Sequence, residues 1–167
     1  MPNWCEGNIR LRGKREAIMG FLMNEIECSG YRSFPDGLET QPAEIDVFYG
    51  EVTVKVPDGM KGTAFCSFYI KGTRRNFISD ESFEVYLNED AETNTVCIDG
   101  CRAAWGFEAE PYLEKARKYG VDIRIVGFER GMEFSQEIEI IDGKLTKDAE
   151  IKYDDWMWEC PMPNMGG

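Results

Sequence analysis

The chain has 167 residues and a formal charge of −12, with 43% hydrophobic and 13% aromatic residues. That composition excludes a disordered chain and suits a folded domain long enough to bury a core, expected here as one unit over 1–167. The charge argues against general DNA or RNA binding, no apolar run reaches the ~20 residues of a membrane span, and no secretory leader is expected, which together point to a cytosolic protein.

Trp4 and Cys5 lie so near the start that their presence suggests an N-terminus docked into the core. Ile9 and Leu11 alternate with Arg10 and Arg12, which predicts a short half-buried strand closed by Gly13. Lys14 to Cys28 then reads as a helix, with Ala17, Ile18, Phe21, Leu22 and Ile26 at helical spacing and Ser29-Gly30 as its stop. Gly20 inside that helix suggests close contact with a sheet.

From Tyr31 to Ala43 the chain is turn-rich and reads as a loop. Strands are expected over 46–49, 51–56, 64–71, 82–88 and 95–98, with Asn88 to Asn94 as a solvent loop. A second helix is expected over 110–119, with Pro111 in its first turn and Gly120 at its end. Val121, Ile123 and Ile125 alternate as a strand, and Arg130-Gly131 turns the chain into 132–141. Asp142-Gly143 signals a type I′ hairpin. The last stretch, 153–167, is expected to be loosely held.

Met1-Pro2-Asn3-Trp4-Cys5 resembles the opening of the YubB-like, Api-type ferredoxin-like proteins of phages, plasmids and prophages. Ala103-Ala104-Trp105-Gly106, ahead of the second helix, is similar to that family's Thr-Ala-Trp-Ser-Pro-Pro segment, with Gly106-Phe107 where the family has prolines. Val126-Gly127-Phe128-Glu129-Arg130-Gly131-Met132-Glu133-Phe134 resembles its Tyr-x-Glu-x-Gly-x-x-Phe pattern, and the Asp142-Gly143 hairpin completes the likeness. The resemblance implies an α+β fold: a ferredoxin-like antiparallel sheet with two helices on one face, enlarged by extra strands in the middle region. Residues 32–94 would be the variable insertion. The early βα unit and late αβ unit agree with that layering. The resemblance also implies a bacterial cytoplasm and a mobile genetic element as the setting, and attaches no activity.

Histidine is absent, so no imidazole triad or histidine metal site can form, and no phosphate loop ends in Lys-Ser or Lys-Thr. No cofactor is expected. The six cysteines, at 5, 28, 66, 97, 101 and 160, read as buried thiols, with an all-thiolate or mixed thiolate–carboxylate zinc site as the alternative. Arg74 and Arg75, at a turn with Tyr69 and Phe77 nearby, are candidates to grip a phosphate or stack on a base; a solvated turn explains them equally. Glu129, Glu133, Glu137 and Glu139 lie on a carboxylate-rich hairpin that could hold Mg²⁺, or simply face water.

Between Asp80 and Glu110 nine acids face one base, Arg102, and such a block could form one acidic face. Asp80, Glu81, Glu84, Glu89, Asp90 and Glu92 are the candidates for partner binding, against the plainer reading of a surface that keeps the protein dispersed. Trp156 and Trp158, beside Asp154 and Asp155, are candidate partner anchors. Trp4 and Trp105 are expected to help seal the core.

The functional expectation is a non-enzymatic accessory protein that binds a host or defence-system protein with a basic surface. An anti-CRISPR inhibitor acting as a nucleic-acid mimic is its specific form. The alternatives are a small RNA- or DNA-cleaving nuclease and a structural homodimer.

Overall fold

Residues 3–30, 39–58 and 67–167 are described by a computed structural model. The first strand, β1 (Trp4–Gly13), reaches back to Trp4 and buries Cys5, Ile9 and Leu11. Helix α1 (Arg15–Glu25) stops earlier than the apolar spacing suggests, and β2 (Ile26–Gly30) takes over. Ile26 fits the helical period, yet Ile26 and Cys28 pair opposite Ile70 and Phe68 and are both buried. Tertiary pairing therefore overrides the local period.

Part of the expected loop is also strand, as β3 (Glu39–Pro42) pairs along β2. The remainder, 31–38, lies outside the described residues, as do 64–66 of the strand expected over 64–71. β4 (Glu44–Phe48) and β5 (Glu51–Lys55) join through Tyr49 and Gly50, whose φ angles are 46° and 84°. Such a turn matches the twist of its strands. β6 (Ser67–Ile70), β7 (Asn76–Ile78) and β8 (Ser82–Tyr86) follow. β7, at three residues, is too short to show a strand period in the sequence.

β9 (Asn94–Ala104) runs well past the expected end at Ile98. Gly7 pairs with Cys101 and Ile9 with Ile98, so Asn8 alone opposes Asp99 and Gly100. This bulge, with Gly100 at φ 68°, lets one long strand continue past Ile98. Helix α2 (Ala109–Tyr119) ends as expected at Gly120, in the left-handed region, whose N–H donates to the Ala116 carbonyl at 2.9 Å. β10 (Asp122–Glu129), β11 (Phe134–Ile141) and β12 (Lys144–Lys152) form a meander. Asp142 and Gly143, at φ 50° and 66°, make its hairpin as expected. A short helix, α3 (Trp156–Glu159), follows.

Among the described residues, nine strands form a sheet of order β12-β11-β10-β1-β9-β7-β6-β2-β3, antiparallel at every pairing, and β4-β5-β8 form a second, antiparallel sheet. One apolar cluster spans both sheets: Ile18, Phe21 and Leu22 of α1 and Tyr112, Leu113 and Ala116 of α2 join Ile9, Leu11, Ile123 and Ile125, and Val52 and Val54 of the small sheet. The molecule is α+β. Gly20 meets the ring of Tyr119 on α2, where a Cβ would lie 3.1 Å away, and not a sheet as expected.

Within this core the Asn76 side-chain amide donates to the Tyr112 hydroxyl at 2.7 Å. Tyr112→Phe leaves that amide without its acceptor and should lower stability by about 1–3 kcal/mol. A denaturant melt indistinguishable from wild type would refute this.

The tail is the clearest correction to the sequence reading. Trp156 is 4% exposed and packs with Phe128 and Cys160, while its indole N–H donates to the Pro163 carbonyl at 2.8 Å. Beyond it, the Gly166 N–H donates to Glu6 at 3.1 Å and the Gly167 N–H to the Trp4 carbonyl at 3.1 Å. The segment 153–167 is thus packed along β1 and β10 and not loosely held.

Candidate functional site

Alternation along β4, β5 and β8 gives the small sheet two unlike faces. Ile45, Val54 and Phe83 share one cross-strand row, and Val47, Val52 and Val85 the next; all but Val47, which is exposed at the sheet edge, pack into the apolar cluster shared with the main sheet. Phe83 meets Phe68 of the main sheet edge to face, with ring centroids 5.3 Å apart. The outward residues form three parallel rows: Glu44, Lys55, Ser82; Asp46, Thr53, Glu84; and Phe48, Glu51, Tyr86. Side chains opposite one another in antiparallel strands project on the same side.

This outer face therefore carries four carboxylates and one ammonium. Lys55 donates to Asp46 at 2.5 Å and lies 3.8 Å from Glu44, so one ammonium is shared by two carboxylates, and among the described residues Glu51 and Glu84 have no ion-pair partner. The hydrogen bond that Lys55 donates to Asp46 raises the Lys55 pKa, so the pair stays charged. Phe48, Tyr49 and Tyr86 are exposed at one end, where Tyr86 packs against Gly50. A Cβ on Gly50 would sit 2.7 Å from the Leu87 carbonyl, so this glycine allows the close approach.

All six acids nominated from the sequence are exposed. Glu84 lies on the grid itself. Glu81 sits at one end, its carbonyl accepting from the Val56 N–H, and Glu89, Asp90 and Glu92 follow β8 at the other, beyond the bond from the Leu87 N–H to the Gly50 carbonyl. Asp80 lies near Gly100 of the main sheet. The larger block, 80 to 110, is not one surface. Glu89 pairs with Arg15 at 3.3 Å, and Glu108 pairs with Arg74 at 3.3 Å beyond the opposite end of β9. Sequence reasoning missed Glu44, Asp46, Glu51, Phe48, Tyr49 and Tyr86, although the Tyr49-Gly50 turn could have fixed the hairpin register that unites most of them.

No family model, curated protein or solved structure matches the chain.

Arg74 and Arg75 come together with a residue not foreseen as their partner. Their guanidinium carbons lie 5.3 and 5.9 Å from the centroid of Trp105. Trp105 is 52% exposed and does not seal the core. Trp4 is half-buried, edge-on to Phe77 at 6.1 Å and covered by Arg102 at 5.1 Å. Of the two proposed anchors, Trp156 is withdrawn into the tail cluster, whereas Trp158 is 87% exposed. Burial thus removes Trp156 from any partner surface.

The carboxylate hairpin does not assemble a cation site. Glu129 is fully buried and accepts from the Gly131 and Met132 N–H groups at 2.8 and 2.6 Å, holding the turn before β11. Glu137 accepts from Lys147 at 2.5 Å, which holds its carboxyl below the ordinary range, and Glu139 accepts from Thr146 at 2.9 Å. Among the described residues no group of three or more Cys, Asp and Glu is placed to hold a metal ion. Cys5, Cys28, Cys101 and Cys160 are buried and Cys97 is exposed, while Cys66 lies outside the described residues. Burial, helped by nearby Glu129 and Glu6, pushes the Cys5 thiol up to about 12. Such a thiol is a packing group and a poor nucleophile.

Proposed function

We propose that this chain is a non-enzymatic accessory protein that binds a basic surface of a host or defence-system protein. The outer face of the small sheet is the binding surface, and an anti-CRISPR inhibitor that imitates nucleic acid is the specific form of the reading. The observation that carries it is the grid of Glu44, Asp46, Glu51 and Glu84 with Phe48, Tyr49 and Tyr86 along one end. Spaced carboxylates attract a basic channel, and exposed aromatic rings supply the apolar contact that charge alone lacks.

The reading extends to a ferredoxin-like core of the YubB-like kind. Its support is the strand order. β1, α1 and β2 make one crossover, and β9, α2 and β10 make another that encloses β1, with the β6–β7 hairpin inserted between β9 and β2. Trp4 opens β1, and Trp105 stands just before α2, as the family's Trp-containing segment stands ahead of a helix. The setting proposed is the cytoplasm of a bacterium that carries the mobile element. Among the described residues no helix is long and apolar enough to cross a membrane.

The test is binding to purified CRISPR effector nucleases at low and high salt, with wild type and a Glu51→Lys/Glu84→Lys variant. The expected result is capture that fades with salt and falls about tenfold or more in the variant, whose thermal melt stays unchanged. No capture, capture indifferent to salt, or a variant that binds as well as wild type would each refute the proposal.

A further inference from the structure

A second surface, chemically opposite to the acidic grid, forms where the turn between β6 and β7 meets the end of β9. Its backbone is unusual. Arg75 and Trp105 occupy the left-handed region, at φ 56° and 63°, although neither is glycine. Side chains there are strained, and such conformations persist only where the surroundings hold them. Here the Ala104 N–H donates to the Arg75 carbonyl at 3.3 Å and the Trp105 N–H to the Asn3 carbonyl at 2.9 Å. The turn itself is tied by Thr73 Oγ1 donating to the Ile70 carbonyl at 2.6 Å and the Tyr69 hydroxyl donating to the Thr73 carbonyl at 2.7 Å.

What this scaffold displays is an indole, 52% exposed, with two guanidinium groups over its ring. Core packing does not account for that exposure, and the ion pair from Arg74 to Glu108, at 3.3 Å between exposed groups, is weak. Beside it, Arg102 lies over Trp4 with its Nε buried and, among the described residues, without a hydrogen-bond partner. Flat π surfaces and guanidinium planes stack on nucleobases, and guanidinium N–H edges hold phosphate oxygens. A short acidic peptide would use the arginines and leave the indole idle. The overall charge of −12 disfavours a long polyanion, but a single nucleotide brings little charge to a locally basic spot.

We propose that Arg74, Arg75 and Trp105 form a binding site for a nucleoside phosphate, its base stacked on the indole–guanidinium platform and its phosphate held by the arginine N–H groups. The moiety is either a free nucleotide or the phosphorylated end of a strand. This site shares no residue with the acidic grid, so either proposal stands if the other fails.

Calorimetric titration of wild type with AMP, ATP, adenosine, inorganic phosphate and a 5′-phosphorylated dinucleotide tests it. AMP or ATP should bind at least about tenfold more tightly than adenosine or phosphate alone, and Trp105→Ala should lose about tenfold or more, with an unchanged melt. Glu108→Gln should tighten binding by removing the carboxylate that competes for Arg74, a gain that a purely structural pair would not produce. Trp158→Ala, at the other exposed tryptophan, should bind as wild type does. A dinucleotide stronger than AMP assigns the strand end, and an equal or weaker one assigns the free nucleotide. Absence of nucleotide binding, an unaffected Trp105→Ala variant, phosphate binding as tightly as AMP, or an acidic peptide outcompeting AMP would overturn the proposal.

Discussion

Glu25→Ala is expected to destabilise the protein by about 3–5 kcal/mol, because it leaves a buried ammonium without its counter-charge. Glu25 closes α1 against α2. It accepts from Lys118 at 2.8 Å and from the Tyr119 hydroxyl at 2.6 Å, and it faces Lys115 Nζ at 3.5 Å. The Lys115 side chain is 7% exposed and cannot reach water without movement of the helix, whereas Lys118 is open to solvent and its share is screened. The large effect therefore comes through Lys115.

The same cluster sets a pH dependence. Burial by itself raises the Glu25 carboxyl, but the hydrogen bonds from Lys118 and Tyr119 and the charge of Lys115 outweigh it, and the net shift is downward from 4.5. A carboxyl depressed in the folded state binds its proton more readily when unfolded. Its stabilisation is complete above the ordinary carboxylate value and is lost as pH falls through the folded pKa. Wild type should lose stability more steeply than Glu25→Gln below about pH 4.5. Denaturant midpoints at neutral and acid pH measure both effects, and parallel acid slopes for the two proteins would sink the assignment.

Trp156→Ala should be the most damaging substitution in the tail, at about 3–5 kcal/mol against its docked state. The indole fills a pocket with Phe128, Cys160 and Met165, meets Tyr153 edge to face at 5.5 Å, and holds Pro163 through its N–H. Its removal opens a cavity in a small cluster that nothing else fills. The bonds from Gly166 to Glu6 and from Gly167 to Trp4 depend on that cluster to bring the end of the chain alongside β1. Limited proteolysis should cut the variant after Tyr153 under conditions in which wild type resists. Trp158→Ala, two residues on, should stay within about 0.5 kcal/mol of wild type. Equal protease resistance of Trp156→Ala and wild type would show that the tail is held by other means.

These two tryptophans show where local reading stops. Trp156 and Trp158 have the same side chain and similar neighbours, so the sequence marks both as anchors; the chain path through α3 buries one and presents the other. Trp105 follows the same rule. Its type suggests core, but a left-handed backbone between β9 and α2 turns it outward beneath Arg74 and Arg75. Ile26 keeps a helical period yet sits in a strand, because the pairing with Ile70 buries it there.

What was determined locally was legible. Pro111 and Gly120 bound α2, Asp142-Gly143 makes its hairpin, and Val52 and Val54 alternate inward, since steric limits on φ and the two-residue period of a strand act within a few residues. The charge of −12 is likewise a property of composition. Which acids share a face is not. Glu84 stands beside Thr53 and Asp46 only because β8 pairs with β5 in that register, and a slip of one residue would turn Glu84 inward. Pairing between strands some thirty residues apart is decided by which register buries Val85, Val54 and Phe83 together, and only the assembled core selects it.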